Sequence, residues 1–126
     1  MGAADEWRTR LRSALTSAMK ARDTDAVAAL RGAIAAIDNA EAVEPPDVAN
    51  AASTSAIAGA AAGVGSTEVA RRDLSSAEVR SLVLAQIADR DAAAEWARAH
   101  GYPERADRLD REATALRAVV AAFPEP

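Results

Sequence analysis

Cysteine is absent from the 126 residues and histidine occurs once, as His100. A disulfide scaffold and a Cys-based zinc site are excluded, and so is a multi-histidine metal centre. Aromatic residues are almost absent: Trp7, Trp96, Tyr102 and Phe123 are the whole set. A β-sandwich or barrel needs alternating aromatic and β-branched residues, so this scarcity disfavours both. No apolar run approaches the roughly 18 residues that span a bilayer. Lysine is nearly missing too, with Lys20 alone beside 14 arginines.

What is present is alanine, 36 of the 63 apolar residues, leaving 27 larger ones. Alanine buries little area, so the expected core is thin and made by close helix approach. The N-terminus reads Met1-Gly2-Ala3-Ala4-Asp5-Glu6, with acids where a signal peptide carries Lys or Arg. Gly2 lacks the Ser or Thr that a myristoylation signal requires at the sixth position. A small soluble helical domain in the cytoplasm is expected, with no membrane, metal or cofactor.

The net charge of −4 is unevenly placed. Between Gly32 and Ala70 there is no Lys or Arg, while Asp38, Glu41, Glu44, Asp47 and Glu68 contribute −5. The remainder is close to neutral, and a strongly basic nucleic-acid footprint is lacking.

Periodicity predicts four helices. The first covers about 5–22, with Trp7, Leu11, Leu15 and Ala18 on one face. Asp5 and Glu6 suit its positive end, and Lys20 and Arg22 its negative end. Asp23-Thr24-Asp25 reads as a turn and N-cap. A second helix over about 25–42 carries the stripe Val27, Leu30, Ile34 and Ile37. So short a connection implies an antiparallel pair. Pro45-Pro46 then stops the helix. Residues 43–73, rich in Ala, Ser, Thr and Gly, read as a low-complexity flexible linker. Outside it lie 22 of the 27 larger apolar residues, enough for a modest core.

Order resumes at Leu74-Ser75. Ser75 with Glu78 forms a capping box, and Leu74 is placed as a hydrophobic staple. The third helix covers about 76–100, with Gly101 as its C′ residue. Pro103 opens a fourth helix over about 103–122, with Leu109, Leu116 and Val120 on one face. The expected fold is an all-α, four-helix domain of two antiparallel helical hairpins, joined by a long flexible connection between helices 2 and 3.

Gln86 and Arg90 fall within the apolar stripe of the third helix, Arg31 and Asp38 flank that of the second, and Glu112 lies beside that of the fourth. They form a candidate interhelical polar layer, with Arg90 or Arg31 paired to Glu112. Such a layer is either a structural ion pair that sets register or an arginine held for a phosphate or carboxylate. Lys20, Arg22, Arg31, Arg71 and Arg72 form a second set, a candidate RNA- or partner-binding surface, with Arg8, Arg10 and Arg12 further along the first helix. These too read either as a solvated face or as a weak anionic-ligand site. Aromatic interleaving for base stacking is missing from the sequence. Gly59–Thr67 lacks the Lys and the preceding strand of a phosphate loop. His100 is explained by its place at a helix end. Asp89/Asp91 and Asp107/Asp110 are interleaved with arginines and read as solvated ion pairs. No catalytic set is visible.

Around Ala18-Met19-Lys20-Ala21-Arg22-Asp23, followed by Val27, Leu30-Arg31 and Ala33-Ile34, the chain resembles the YqeY family. This is the GatB/YqeY domain, shared with the B subunit of the aspartyl/glutamyl-tRNA amidotransferase. Leu74-Ser75, Glu78-Val79, Gln86-Ile87, Arg90, Gly101, Glu112, Leu116 and Phe123-Pro124 are similar to the second half of that domain. The resemblance spans roughly 11–41 and 74–124. It implies a four-helix domain, without the family's C-terminal tail domain. It also implies a non-catalytic binding module associated with tRNA-dependent amidation, glutamine being the amido donor, or with aminoacyl-tRNA handling. The implied partner is tRNA or an amidotransferase or aminoacyl-tRNA complex. A protein-interaction or dimerisation domain with no RNA role is the alternative from a different class. An enzyme using Arg31, Arg90 and Glu112 is a third.

Overall fold

The structure is a computed structural model that describes residues 2–42 and 72–124. Among the described residues there are four α-helices and no strand: α1 (Ala3–Ala21), α2 (Thr24–Glu41), α3 (Ser76–Ala99) and α4 (Pro103–Ala122). The expected linker, the Gly59–Thr67 stretch, Pro45-Pro46 and Arg71 lie outside these residues, apart from 72 and 73, which are non-helical.

Local chemistry accounts for the helix ends. α1 begins at Ala3, two residues before the expected start, with Gly2 as an extended N-cap and Asp5 and Glu6 in the first turn. Its C-cap is Arg22, in the left-handed region at φ 59°, a conformation usually left to Gly or Asn. Asp23 is the N-cap of α2; its carboxylate accepts the Ala26 N–H at 3.1 Å. Helix α2 therefore starts one residue earlier than expected. Ser75 and Glu78 form the reciprocal capping box, with both hydrogen bonds at 3.1 Å. Leu74 is buried in the same core as Val79. At the far end of α3 the Tyr102 N–H returns to the Ala97 carbonyl at 2.8 Å, and Gly101 sits at φ +85°. Pro103 opens α4, where its missing N–H costs nothing.

The core draws on every helix. Trp7, Leu11, Leu30, Ile37, Val79, Val83 and Leu116 are fully buried. Among the described residues, nine of the nineteen buried apolar side chains are alanines, so the helices approach closely over a thin core. A second, smaller cluster holds Ala94, Ala97 and Ala106, with Leu109 packed against it; it belongs to α3 and α4 alone.

Contacts between helices define which ends meet. Arg8 near the start of α1 reaches Asp38 and Glu41 at the end of α2. Trp7 Nε1 donates to Ser76 Oγ at 3.3 Å, joining the starts of α1 and α3. Arg111 Nε donates to Asp25 at 2.8 Å, setting the middle of α4 beside the first turn of α2. Arg80 donates to the Phe123 carbonyl, and Phe123 packs on Trp7 with ring centroids 4.6 Å apart. The Arg72 N–H bonds the Glu41 carbonyl at 3.0 Å, so the chain re-enters beside the end of α2.

Candidate functional site

The interrupted apolar stripes meet where α2, α3 and α4 pack together. Arg90 Nε donates to Glu112 at 3.0 Å, and Arg90 Nη1 donates to the Gln86 carbonyl and side-chain oxygen at 3.1 and 3.0 Å. The two charged side chains keep 16% and 14% of their exposure. From α2 it is Gly32 that closes the group: a β-carbon there would stand 3.2 Å from Arg90 Nη2 and 3.6 Å from Gln86 Oε1. A guanidinium grips a phosphate or carboxylate through two parallel N–H groups. Nε and Nη1 of Arg90 are already engaged. The geometry therefore sets helix register and offers no open fork to a ligand. Arg31 stands outside this group, exposed on α2; the partner of Glu112 is Arg90.

Among the described residues the most buried charge is Arg8, at 7% exposure. Its Nε and Nη2 donate to Asp38 at 3.2 and 2.8 Å, its Nη1 to Asp5 at 3.0 Å, and its Nη2 also to Glu41. Burial opposes the charge, but hydrogen bonds to Asp38 and Glu41 outweigh it and raise the guanidinium pKa. Arg8 thus leaves the surface basic set in which its sequence position placed it. The open cleft of about 600 Å³ beside it is lined by Asp5, Arg8, Arg12, Asp38, Asn39 and Ala42.

Lys20, Arg22 and Arg31 are exposed, and the described residues give them no ion-pair partner. Arg72 is also exposed but pairs with Glu78 at the capping box. That pairing divides the candidate set. Lys20 and Arg22 cluster at the α1–α2 turn with Arg31 further along α2, while Arg72 belongs to the start of α3. The paired aspartates find arginines across the helices: Asp91 pairs with Arg117, and Asp107 and Asp110 share Arg98.

Sequence reasoning missed a third arrangement. Trp96 and Tyr102 are each 53% exposed. Their rings lie within 7° of parallel with centroids 6.0 Å apart, and His100 stacks on Trp96 at 4.1 Å and 17°. His100 Nδ1 lies 2.7 Å from the Trp96 carbonyl, which fixes the imidazole. The i, i+4 spacing of Trp96 and His100 was the available signal; the approach of Tyr102 depends on the turn at Gly101.

Among the described residues no group of three or more metal-ligating side chains is placed to hold an ion, and no helix is long and apolar enough to cross a membrane. No family model, no curated protein and no solved structure matches the chain.

Proposed function

We propose that the chain is a non-catalytic helical binding module of the GatB/YqeY type, acting in the cytoplasm on tRNA, either within tRNA-dependent amidation or in aminoacyl-tRNA handling. The sequence resemblance around Met19–Arg31 motivates this reading. One structural observation supports it: Lys20, Arg22 and Arg31, all within that stretch, stay exposed without carboxylate partners among the described residues, while Arg8, Arg90, Arg98, Arg111 and Arg117 are all tied up in ion pairs. Unpaired cations on a helical face are what phosphates recruit, with counterion release as the driving force.

The same proposal takes the architecture as two antiparallel hairpins, α1–α2 and α3–α4. The Arg8–Asp38 and Arg98–Asp107 pairs, one within each pair of helices, support it.

Filter binding to total tRNA at low and moderate salt tests the function. Retention at low salt that weakens with salt is expected, and Lys20→Ala with Arg31→Ala reduces it and flattens the salt slope by about 2. No retention even at low salt removes the RNA role. A second reading, self-association or protein docking without RNA, draws on the exposure of Met19 and Leu84. It requires a mass that rises with concentration in light scattering, and a strict monomer counts against self-association.

A further inference from the structure

The turns after α1 and after α3 are built alike. At the first, the Arg22 N–H returns to the Met19 carbonyl at 3.1 Å and the Asp23 N–H to the Ala18 carbonyl at 2.9 Å. At the second, the Gly101 N–H returns to the Arg98 carbonyl at 3.4 Å and the Tyr102 N–H to the Ala97 carbonyl at 2.8 Å. Both are the paired bonds of a Schellman motif, which places one residue in the left-handed region. Gly101 fills that place at φ +85° and Arg22 at φ 59°. Among the described residues, Arg22 is the one non-glycine residue with positive φ.

A side chain is unfavourable there, because its β-carbon crowds the following carbonyl oxygen. Glycine avoids the clash, and the second turn forms with glycine. A β-carbon at Gly101 would meet nothing within 4 Å, so that turn isolates the backbone effect from packing. The helix dipole does not call for an arginine at this position. A cation in the last turn complements the dipole, and Lys20 supplies it in α1 as Arg98 does in α3. Pairing does not call for it either: Arg22 is exposed, and no ion pair holds it among the described residues.

The acids of the same turn are engaged elsewhere. Asp23 accepts the Ala26 N–H at 3.1 Å, and Asp25 accepts from Arg111 at 2.8 Å. Lys20 and Arg22 against Asp23 and Asp25 leave no surplus of charge. The ligand is therefore selected by the free guanidinium, whose parallel N–H groups match a phosphate. We infer that Arg22 occupies the left-handed position, at the expense of stability, because its guanidinium grips a phosphate of the bound RNA. This inference rests on the RNA-binding reading and names a residue that makes the contact.

The test measures thermal melting and tRNA filter binding on the same variants of the full chain. Arg22→Gly is expected to melt about 2–8 °C above the parent. It is also expected to lose affinity, with a salt slope flatter by about 1. Gly101→Ala calibrates the backbone effect: it melts lower than the parent and keeps the parent's affinity. Arg22→Ala melts near the parent, since it keeps the β-carbon, and binds as weakly as Arg22→Gly. Helical circular dichroism verifies that all three variants fold. Parent-like affinity in Arg22→Gly overturns the inference and leaves the RNA reading to Lys20 and Arg31. Melting of Arg22→Gly below the parent overturns it as well, because the arginine then serves the fold. No retention of tRNA by the parent, even at low salt, overturns both.

Discussion

Arg90 and Arg8 occupy similar sequence settings, each on a helix that carries an apolar stripe, yet their surroundings differ in kind. Arg90 is held by Gln86 and Glu112 at 3.0 Å and pressed by Gly32. Arg8 is surrounded by three carboxylates. Removing one partner of a mostly desolvated pair strands the other charge. Arg90→Met is therefore expected to cost about 1–3 kcal/mol in urea unfolding, discounted from a fully buried pair for the exposure that remains. Adding Glu112→Leu recovers part of that loss; a double-mutant cycle with no coupling would contradict the pairing. RNA retention should be unaffected, because Arg90 has no open fork. Gly32 belongs to the same group. Glycine inside a helix costs about 0.5–1 kcal/mol relative to alanine, and here it makes room for the guanidinium. Gly32→Leu is expected to destabilise by about 1–3 kcal/mol through overpacking, seen as a lower urea midpoint.

At the scale of the element, the caps were legible because capping depends on residues three or four apart. Ser75, Glu78, Gly101 and Pro103 all stand where their local chemistry put them. The start of α1 came two residues early, with Gly2 as N-cap, and that of α2 one residue early, with Asp23 as the N-cap within the turn read from the sequence. The capping box also carries a pH signature. Hydrogen bonding from the Ser75 backbone N–H, then the Ser75 side chain and the charge of Arg72, holds the Glu78 carboxyl below the usual glutamate range. A carboxyl lowered in the folded state contributes stability above its unfolded pKa of about 4.3, and loses that contribution as pH falls through the folded value. Glu78→Gln is expected to melt lower than the parent at pH 7, with the gap closing as pH falls below about 4. A gap that stays constant across that range would refute the linkage.

At the scale of the whole molecule, the two tryptophans define opposite roles. Trp7 is fully buried and ties three helices, touching Phe123 after α4, Ser76 in α3 and the Arg80 guanidinium 5.2 Å from its ring. Trp96 is exposed near the end of α3. Trp7→Ala is expected to cost about 3–5 kcal/mol, a large share of a stability of about 5–15 kcal/mol, and thermal melting reads it directly. Trp96→Ala should stay within about 0.5 kcal/mol of the parent. Equal losses for the two would contradict the difference in burial between them.

The sequence by itself determined the four helices of the described residues and most of their ends. Alanine scarcely interrupts a helical period, and caps and glycine turns act over a single turn. It also placed Gln86, Arg90 and Glu112 in or beside the apolar stripes. Only the tertiary structure decided which arginines are free. That depends on whether a carboxylate from another helix arrives: Asp38 reaches Arg8, Asp25 reaches Arg111, and none among the described residues reaches Lys20, Arg22 or Arg31. The stacking of the aromatic rings is of the same kind. Four scattered rings look like too few for any surface until the Gly101 turn folds Tyr102 back beside Trp96, because proximity between elements is a property of packing and not of period.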